Sequence, residues 1–527
     1  MPMSFDVIVI GSGFGGAITA CRLAEKGAKV LLLERGRRWL PNEYPRELTD
    51  PWLYDPLAPH KQNGWADVRY FGDMSVITGA GVGGGSLIYA NVSVEAKPWL
   101  FKKGWPAEIT YSELKPYYDR VGKMLNLQTV PDNQVTERFR LMKEAAEKIG
   151  HGDRFRKVPL AVSFDEAWYP GLPNAFHDSH SKTFTNDQEQ QQGTCVHCGN
   201  CPIGCQVKAK NTLDLNYIPW AEKHGAEVRP LHLVRYIQPE GAGYRVHFDR
   251  IVSGQLISGS ESAGRVIIAA GSLGSTELLL RCRDEFKTLP ALSPFLGKNW
   301  SSNGDFLTPA TYKDRKISPT RGVTISCAID FLDEDDAKPQ FFIEEGGGPN
   351  VLANLLQSTG GSASANPLLQ AALRELTGLL GTGDPFGNVM PWFAQGIDAA
   401  NGRLHLGRPW YAFWRKKQLQ MDWKIEQSKP VIEAIIAMHK KLAAATNGDA
   451  QVPPTWTLLK SLVTPHPLGG CNMGANAQTG VVDHRGEVFG YPNLFVADGA
   501  IVPEAIGLNP SRTIGALAER IAKLITD

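Results

Sequence analysis

No stretch of the sequence is apolar for long enough to span a bilayer, which takes about 20 consecutive apolar residues. The N-terminus, Met1-Pro2-Met3-Ser4-Phe5-Asp6, lacks the basic region of a secretory leader. The short apolar run Val7–Ile10 leads straight into a glycine turn. The chain therefore reads as cytoplasmic. A charge surplus is missing too: 55 Lys and Arg stand against 54 Asp and Glu, a net of +1. That balance excludes the basic footprint of a nucleic-acid binder. No internal repeat is present beyond glycine-rich turns. Disorder is excluded by a composition of 43% apolar and 21% charged residues. A length of 527 residues points to two or three domains. Of 8 cysteines, four lie within eleven residues, which in a cytoplasmic chain suggests metal or redox chemistry more than a disulfide framework.

What the chain has in quantity is glycine, 54 residues, gathered in a few clusters. Asp6–Ile10 reads as a buried parallel strand and Ala17–Gly27 as a helix ending at a glycine cap. Ala28–Glu34 reads as a second strand. Between the first strand and the helix lies Gly11-Ser12-Gly13-Phe14-Gly15-Gly16, a G-x-G-x-x-G turn. Gly11 permits the turn, Gly13 lets backbone approach a pyrophosphate, and Gly16 lets helix and strand pack. Glu34 ends the second strand, where a carboxylate bonds an adenosine ribose. Phe14 and Gly15 complete the turn. The pattern predicts a dinucleotide site but leaves FAD and NAD open.

Gly79-Ala80-Gly81-Val82-Gly83-Gly84-Gly85-Ser86-Leu87-Ile88-Tyr89-Ala90-Asn91-Val92 is a second glycine loop, able to lay bare N–H groups along a flavin edge. It resembles the flavin-contacting segment of the glucose–methanol–choline oxidoreductases, in the cholesterol oxidase-like branch that binds FAD non-covalently. The C-terminal runs Pro465-His466-Pro467-Leu468-Gly469-Gly470-Cys471, Asn493-Leu494-Phe495-Val496-Ala497-Asp498-Gly499 and Gly507-Leu508-Asn509-Pro510-Ser511 resemble that family's segments in order and spacing. The likeness covers the chain from residue 5 to 525 and is weakest over 306–420.

This resemblance implies an α/β fold: a discontinuous FAD-binding Rossmann-like domain (1–100, 213–305 and 463–527) and an α+β substrate or cap domain (101–212 and 306–462). It implies FAD contacts from Gly11, Gly13, Phe14, Gly15, Gly16, Glu34, Gly79, Gly83, Gly84, Gly85, Ser86, Asn91, Asp498, Gly499, Asn509 and Pro510. A strand over Asn493–Ala497 puts Asp498-Gly499 at its carboxyl end, where such sheets bind ligands. Val266–Gly271 reads as another strand, with a helix opening at Glu277. A helix over Thr513–Ile525 would turn its positive end toward a flavin.

The resemblance places His466 and Asn509 over the flavin, His466 to accept or position the hydroxyl proton of an alcohol. Glu344, in Phe341-Phe342-Ile343-Glu344-Glu345, loosely matches the place where sterol oxidases carry a proton-moving glutamate; from the residues alone a solvated turn is the stronger reading. The expected activity is oxidation of a bulky apolar, sterol-like alcohol to a ketone by hydride transfer to FAD. Alternatives are a dehydrogenase of the same family acting on a long-chain alcohol, sugar or other hydroxy compound, and a non-catalytic electron-transfer flavoprotein. The acceptor is oxygen, or an electron-acceptor protein or quinone.

Cys195-x2-Cys198-x2-Cys201-x3-Cys205 has the spacing of a ferredoxin-type iron–sulfur run, except that Pro202 follows the third cysteine. Zinc and free or disulfide-paired thiols stay open. Similar runs followed by Ala-Lys-Asn-Thr-Leu, here residues 209–213, occur in cholesterol oxidase-like relatives, and some sugar dehydrogenases of the wider family carry an iron–sulfur cluster. Leu369, Leu373, Leu376 and Leu380 form a helical apolar stripe. It reads as a packed cap helix, with a lid or a peripheral membrane contact as the sharper reading.

Overall fold

A computed structural model describes residues 3–47, 49–333, 335, 337–349, 387–408 and 417–527. The leucine stripe at 369–380 lies outside the described residues.

The first sheet has seven strands. Its parallel part runs in the order Glu227–Arg229, Val30–Leu33, Phe5–Ile10 and Gln255–Ile268, with Leu494–Val496 on the far side of the last. Val7 to Val9 and Val30 to Leu32 have no exposed surface. A continuous β-branched and leucine run is what a strand covered on both faces requires. Helix Phe14–Glu25 returns the chain from the first strand to the second and packs against the last helix, Ser511–Thr526. Strand Gln255–Ile268 is long enough to pair antiparallel with Gly243–Val252 at one end and parallel with Phe5–Ile10 at the other. The helix after it spans Gly271–Leu280, starting earlier than Glu277, because Asp498 accepts the Gly271 N–H and anchors that end.

A second, antiparallel sheet has six strands in the order Asp449–Ala450, Phe306–Thr311, Val389–Gly396, Phe341–Glu345, Cys327–Phe331 and Phe155–Lys157. Helices Glu137–Lys148 and Ile425–Ala445 pack on it. Glu344 lies in its middle, opposite Ala328 on one side and Phe393 on the other, and has no exposed surface. The solvated turn read from the sequence is thus a central strand; the flanking strands that bury it come from distant sequence. A three-stranded sheet, Leu462–Thr464, Met74–Gly79 and Ala66–Tyr70, delivers the chain to Gly79 and to His466. Among the described residues no helix is long and apolar enough to cross a membrane.

Candidate active site

A cavity of about 2170 Å³ is lined from both large sheets. At one end it meets the first glycine turn. Gly11 has φ +96°, and a Cβ there would lie 2.3 Å from the Ala269 carbonyl oxygen. A Cβ on Gly13 would meet nothing within 4 Å. Gly13 caps the helix that begins at Phe14, so first-turn N–H groups without a partner inside the helix border an open cradle. The second glycine loop closes that cradle. A Cβ on Gly84 would lie 2.6 Å from Gly13 Cα, so the two loops touch backbone to backbone.

Side chains lock the two loops together. The Ser12 hydroxyl donates to Glu34 at 2.6 Å and accepts the Gly83 N–H at 3.1 Å. Glu34, 5% exposed, also accepts the N–H groups of Ser12 at 3.0 Å and Gly36 at 2.9 Å, and still lines the cavity. The Ser86 hydroxyl donates to Gly83 O at 2.7 Å and accepts Leu213 N–H at 3.1 Å. Ser86, Gly83 and Gly16 shape the loops from behind, while Gly79, Gly84, Gly85, Phe14 and Gly15 form the wall. Asn91, with φ +70° and no exposed surface, has no partner at either amide atom. It lies between the wall residues Ala90 and Val92. A buried amide of that kind needs a partner.

Asp498 ties the ends of two parallel strands. It accepts from Gly271 N at 2.7 Å, the Ser275 hydroxyl at 2.5 Å and Ala500 N at 2.8 Å, and burial pushes its carboxyl up. Asp498, Gly499 and Pro510 all line the cavity, and Pro510 caps the helix Ser511–Thr526. An open cradle at a helix N-terminus, an acid beside it, an orphaned amide and a second helix N-terminus fit a flavin dinucleotide.

The other end of the cavity is made by side chains. His466 lines it, with 17% of its side chain exposed. Its Nδ1 lies 2.9 and 3.1 Å from the two oxygens of Asp305, which is fully buried. Thr464 completes the clamp: its hydroxyl donates to Asp305 at 2.5 Å and accepts the backbone N–H of His466 at 2.9 Å. Burial of the ring pulls the His466 pKa down, but the Asp305 carboxylate, with Glu344 beyond it, outweighs this and leaves it raised.

Asn509 lines the cavity beside His466, and its Nδ2 donates to Glu344 Oε2 at 3.3 Å. Gln395 Nε2 donates to the same oxygen at 2.7 Å. Glu344 therefore stands one layer behind the cavity wall. Three buried atoms, Glu344 Oε1, Gln395 Oε1 and Asn509 Oδ1, have no partner. Burial pushes the Glu344 carboxyl up to about 7. A protonated carboxyl supplies a donor that a carboxylate cannot, which relieves this excess of acceptors.

Five contributors escaped the sequence reading: Ser12, Asp305, Gln395, Asn303 and Thr464. Asn303 is fully buried; its Oδ1 accepts the N–H groups of Ile506 and Gly507 at 3.0 and 2.9 Å, and its Nδ2 donates to Leu508 O at 2.7 Å. One short turn, Asn303-Gly304-Asp305, thus holds the loop of Asn509 and the ring of His466. The available signal was a polar run, Ser301-Ser302-Asn303-Gly304-Asp305, opening an apolar strand.

Cys195, Cys198, Cys201 and Cys205 are all free thiols, so the disulfide reading is set aside. Among the described residues no group of three or more His, Cys, Asp or Glu is arranged to hold a metal ion, so the iron–sulfur and zinc readings find no ligand set. The turns of the loop use the sulfurs locally: Cys195 Sγ accepts His197 N–H at 3.3 Å and Cys205 Sγ accepts Ala209 N–H at 3.2 Å. Burial pushes Cys198 up to about 12 and raises Cys195 and Cys205, away from thiolate. The loop is tied to both sides of the molecule. Buried Lys210, pushed down to about 8 by burial, donates to Leu87 O and Cys201 O at 2.8 Å each, tying it to the second glycine loop. Gly322 N–H donates to His197 O at 2.9 Å, tying it to the cap side.

Residues 413–518 match the family described as GMC oxidoreductase, and residues 9–40 match an NAD(P)-binding Rossmann-like domain. The chain is 30% identical to the cholesterol oxidase of Acinetobacter baumannii over 99% of this chain and 94% of that protein. It is 32% identical to the cholesterol oxidase of Mycobacterium tuberculosis strain ATCC 25618 / H37Rv, over 99% and 91%. Formate oxidase from Aspergillus oryzae RIB40 has a similar fold, with a TM-score of 0.65 at 13% identity over 100% of this chain and 99% of that one.

Proposed function

The chain belongs to the glucose–methanol–choline oxidoreductases, in the cholesterol oxidase-like branch, and is an FAD-dependent alcohol oxidoreductase; on that premise we propose that it oxidises a bulky, sterol-like secondary alcohol to the ketone, with oxygen as the acceptor. One observation carries the reading: His466 and Asn509 present polar atoms to a cavity whose wall also includes Phe306, Ile325, Val389 and Phe393. A ligand there would be apolar over most of its surface and fixed at one polar point.

FAD would be held by the Gly13–Gly84 cradle at its pyrophosphate, by Glu34 at its ribose, and by Asn91 and the Pro510 helix N-terminus at its ring. Bound there, FAD supplies the hydride acceptor. His466 and Asn509 hold the substrate oxygen from Nε2 and the side-chain amide, because Nδ1 is committed to Asp305. Glu344 keeps a proton-exchanging carboxyl beside Asn509 and aligns that amide. The apolar walls exclude water from the polar end, which strengthens each of these bonds.

The test is an anaerobic titration of the yellow holoprotein with a 3-hydroxysteroid. Bleaching of the flavin band supports the proposal. An unbleached band with FAD bound discards the sterol and directs the search to other alcohols.

A further inference from the structure

The buried acid behind His466 belongs to none of the motifs in the sequence. We propose that Asp305 is a positioning residue that keeps His466 an imidazolium, whose Nε2–H donates a hydrogen bond to the substrate oxygen. This rests on the reading of His466 given above.

The argument starts from charge balance. Asp305 has no exposed side-chain surface, and its side-chain hydrogen bonds come from His466 and Thr464. An ionised carboxylate buried without a countercharge is costly. Glu344 adds a second, fully buried carboxyl, two strands away in the same sheet. The groups facing the His466 ring are these two acids, the neutral Asn509 amide and the Phe393 ring, whose centroid lies 6.2 Å away. None of them is a cation, so the ring itself is the countercharge.

Geometry fixes where the protons of that cation sit. A carboxylate only accepts, so Nδ1 must carry a hydrogen. Thr464 grips the backbone N–H of His466 and the carboxylate of Asp305 together, which fixes the ring plane. The remaining proton of the cation is then on Nε2, toward the cavity. Burial pushes Asp305 up, and the imidazole and the Thr464 hydroxyl pull it only part of the way back. The shared proton stays on the ring, since an imidazole ordinarily holds its proton far more tightly than a carboxyl.

The experiment is 15N NMR of the FAD holoprotein carrying labelled histidine, with the His466 signal identified by its loss in His466→Gln. In the wild type the ring is expected to stay an imidazolium at pH 7. In Asp305→Asn, which keeps an acceptor but loses the charge, it should turn neutral at least one pH unit lower. The alkaline fall of kcat/KM should move with it, at unchanged FAD content. Asp305→Glu should behave like the wild type. A neutral His466 at pH 7 in the wild type overturns the proposal, as does an equal midpoint in the wild type and Asp305→Asn. If Asp305→Asn loses FAD, the wild-type titration and Asp305→Glu decide. Failure of the underlying reading shows separately: His466→Gln would then bleach with alcohol as fast as the wild type.

Discussion

The two ends of the cavity are built from opposite materials. The dinucleotide end is backbone: glycines touching at Gly13 and Gly84, with Ser12 and Glu34 satisfying each other. The reaction end is side chains from separate segments, with three buried acceptors unpaired and three shifted titratable groups. A backbone site needs only space, so its failures are steric. A side-chain site stores unsatisfied polarity, and its failures are chemical.

Substitutions at the two ends should separate these behaviours. The largest effect is expected from Gly15→Val, because a Cβ there would lie 1.9 Å from the Ala497 carbonyl oxygen. It should cost about 3 kcal/mol or more and leave little folded protein by circular dichroism. Gly13→Val, in open space, should fold and lose FAD, read as flavin absorbance per protein. If Gly13→Val keeps its flavin, the cradle is misassigned.

At the reaction end, His466→Ala should retain FAD and lower the rate of flavin reduction by about 10²- to 10⁴-fold in stopped flow. Unchanged reduction would remove His466 from the chemistry.

Glu344→Gln should have a smaller effect on rate and a distinctive one on pH. The native carboxyl, pushed up to about 7, binds a proton that the unfolded chain releases near the ordinary carboxyl range. Its burial therefore costs nothing below that range, and stability falls as pH rises toward 7. Glu344→Gln should melt higher than the wild type at pH 8, by on the order of 2–3 kcal/mol, with the gap closing by pH 4. The same gap at both pH values would mean that Glu344 is ionised throughout.

The smallest effect is expected at the cysteine loop. Cys198→Ser should leave FAD content and flavin reduction at wild-type levels, and iron in anaerobically purified protein should be near zero. Stoichiometric iron, lost in Cys198→Ser, would restore the cluster reading.

Much of the dinucleotide end was legible in the sequence because glycine spacing is a local requirement of turn geometry. The Rossmann-like unit and the second glycine loop appear where the spacing placed them, with the first helix at Phe14–Glu25 rather than 17–27. Glu344 was misread because a run of aromatics ending in two acids looks the same at a strand end and in a sheet centre. Only the strands Cys327–Phe331 and Val389–Gly396 on either side decide between them. In the cysteine run the spacing suits a ligand set, and in the structure Cys195 Sγ and Cys205 Sγ accept nearby backbone N–H groups.

By itself, the sequence determined the parallel strands, the two glycine loops and the identity of His466 and Asn509 as candidates. Each depends on contacts within about thirty residues or on a motif, and such information survives in one dimension. Tertiary structure alone decided the partners. Asp305 meets His466 across 161 residues, and Glu344 meets Asn509 across 165. At such separations the chain carries no local record of the pairing. The charge state of the site follows from which acids are buried against which bases, and burial is a property of the packed molecule.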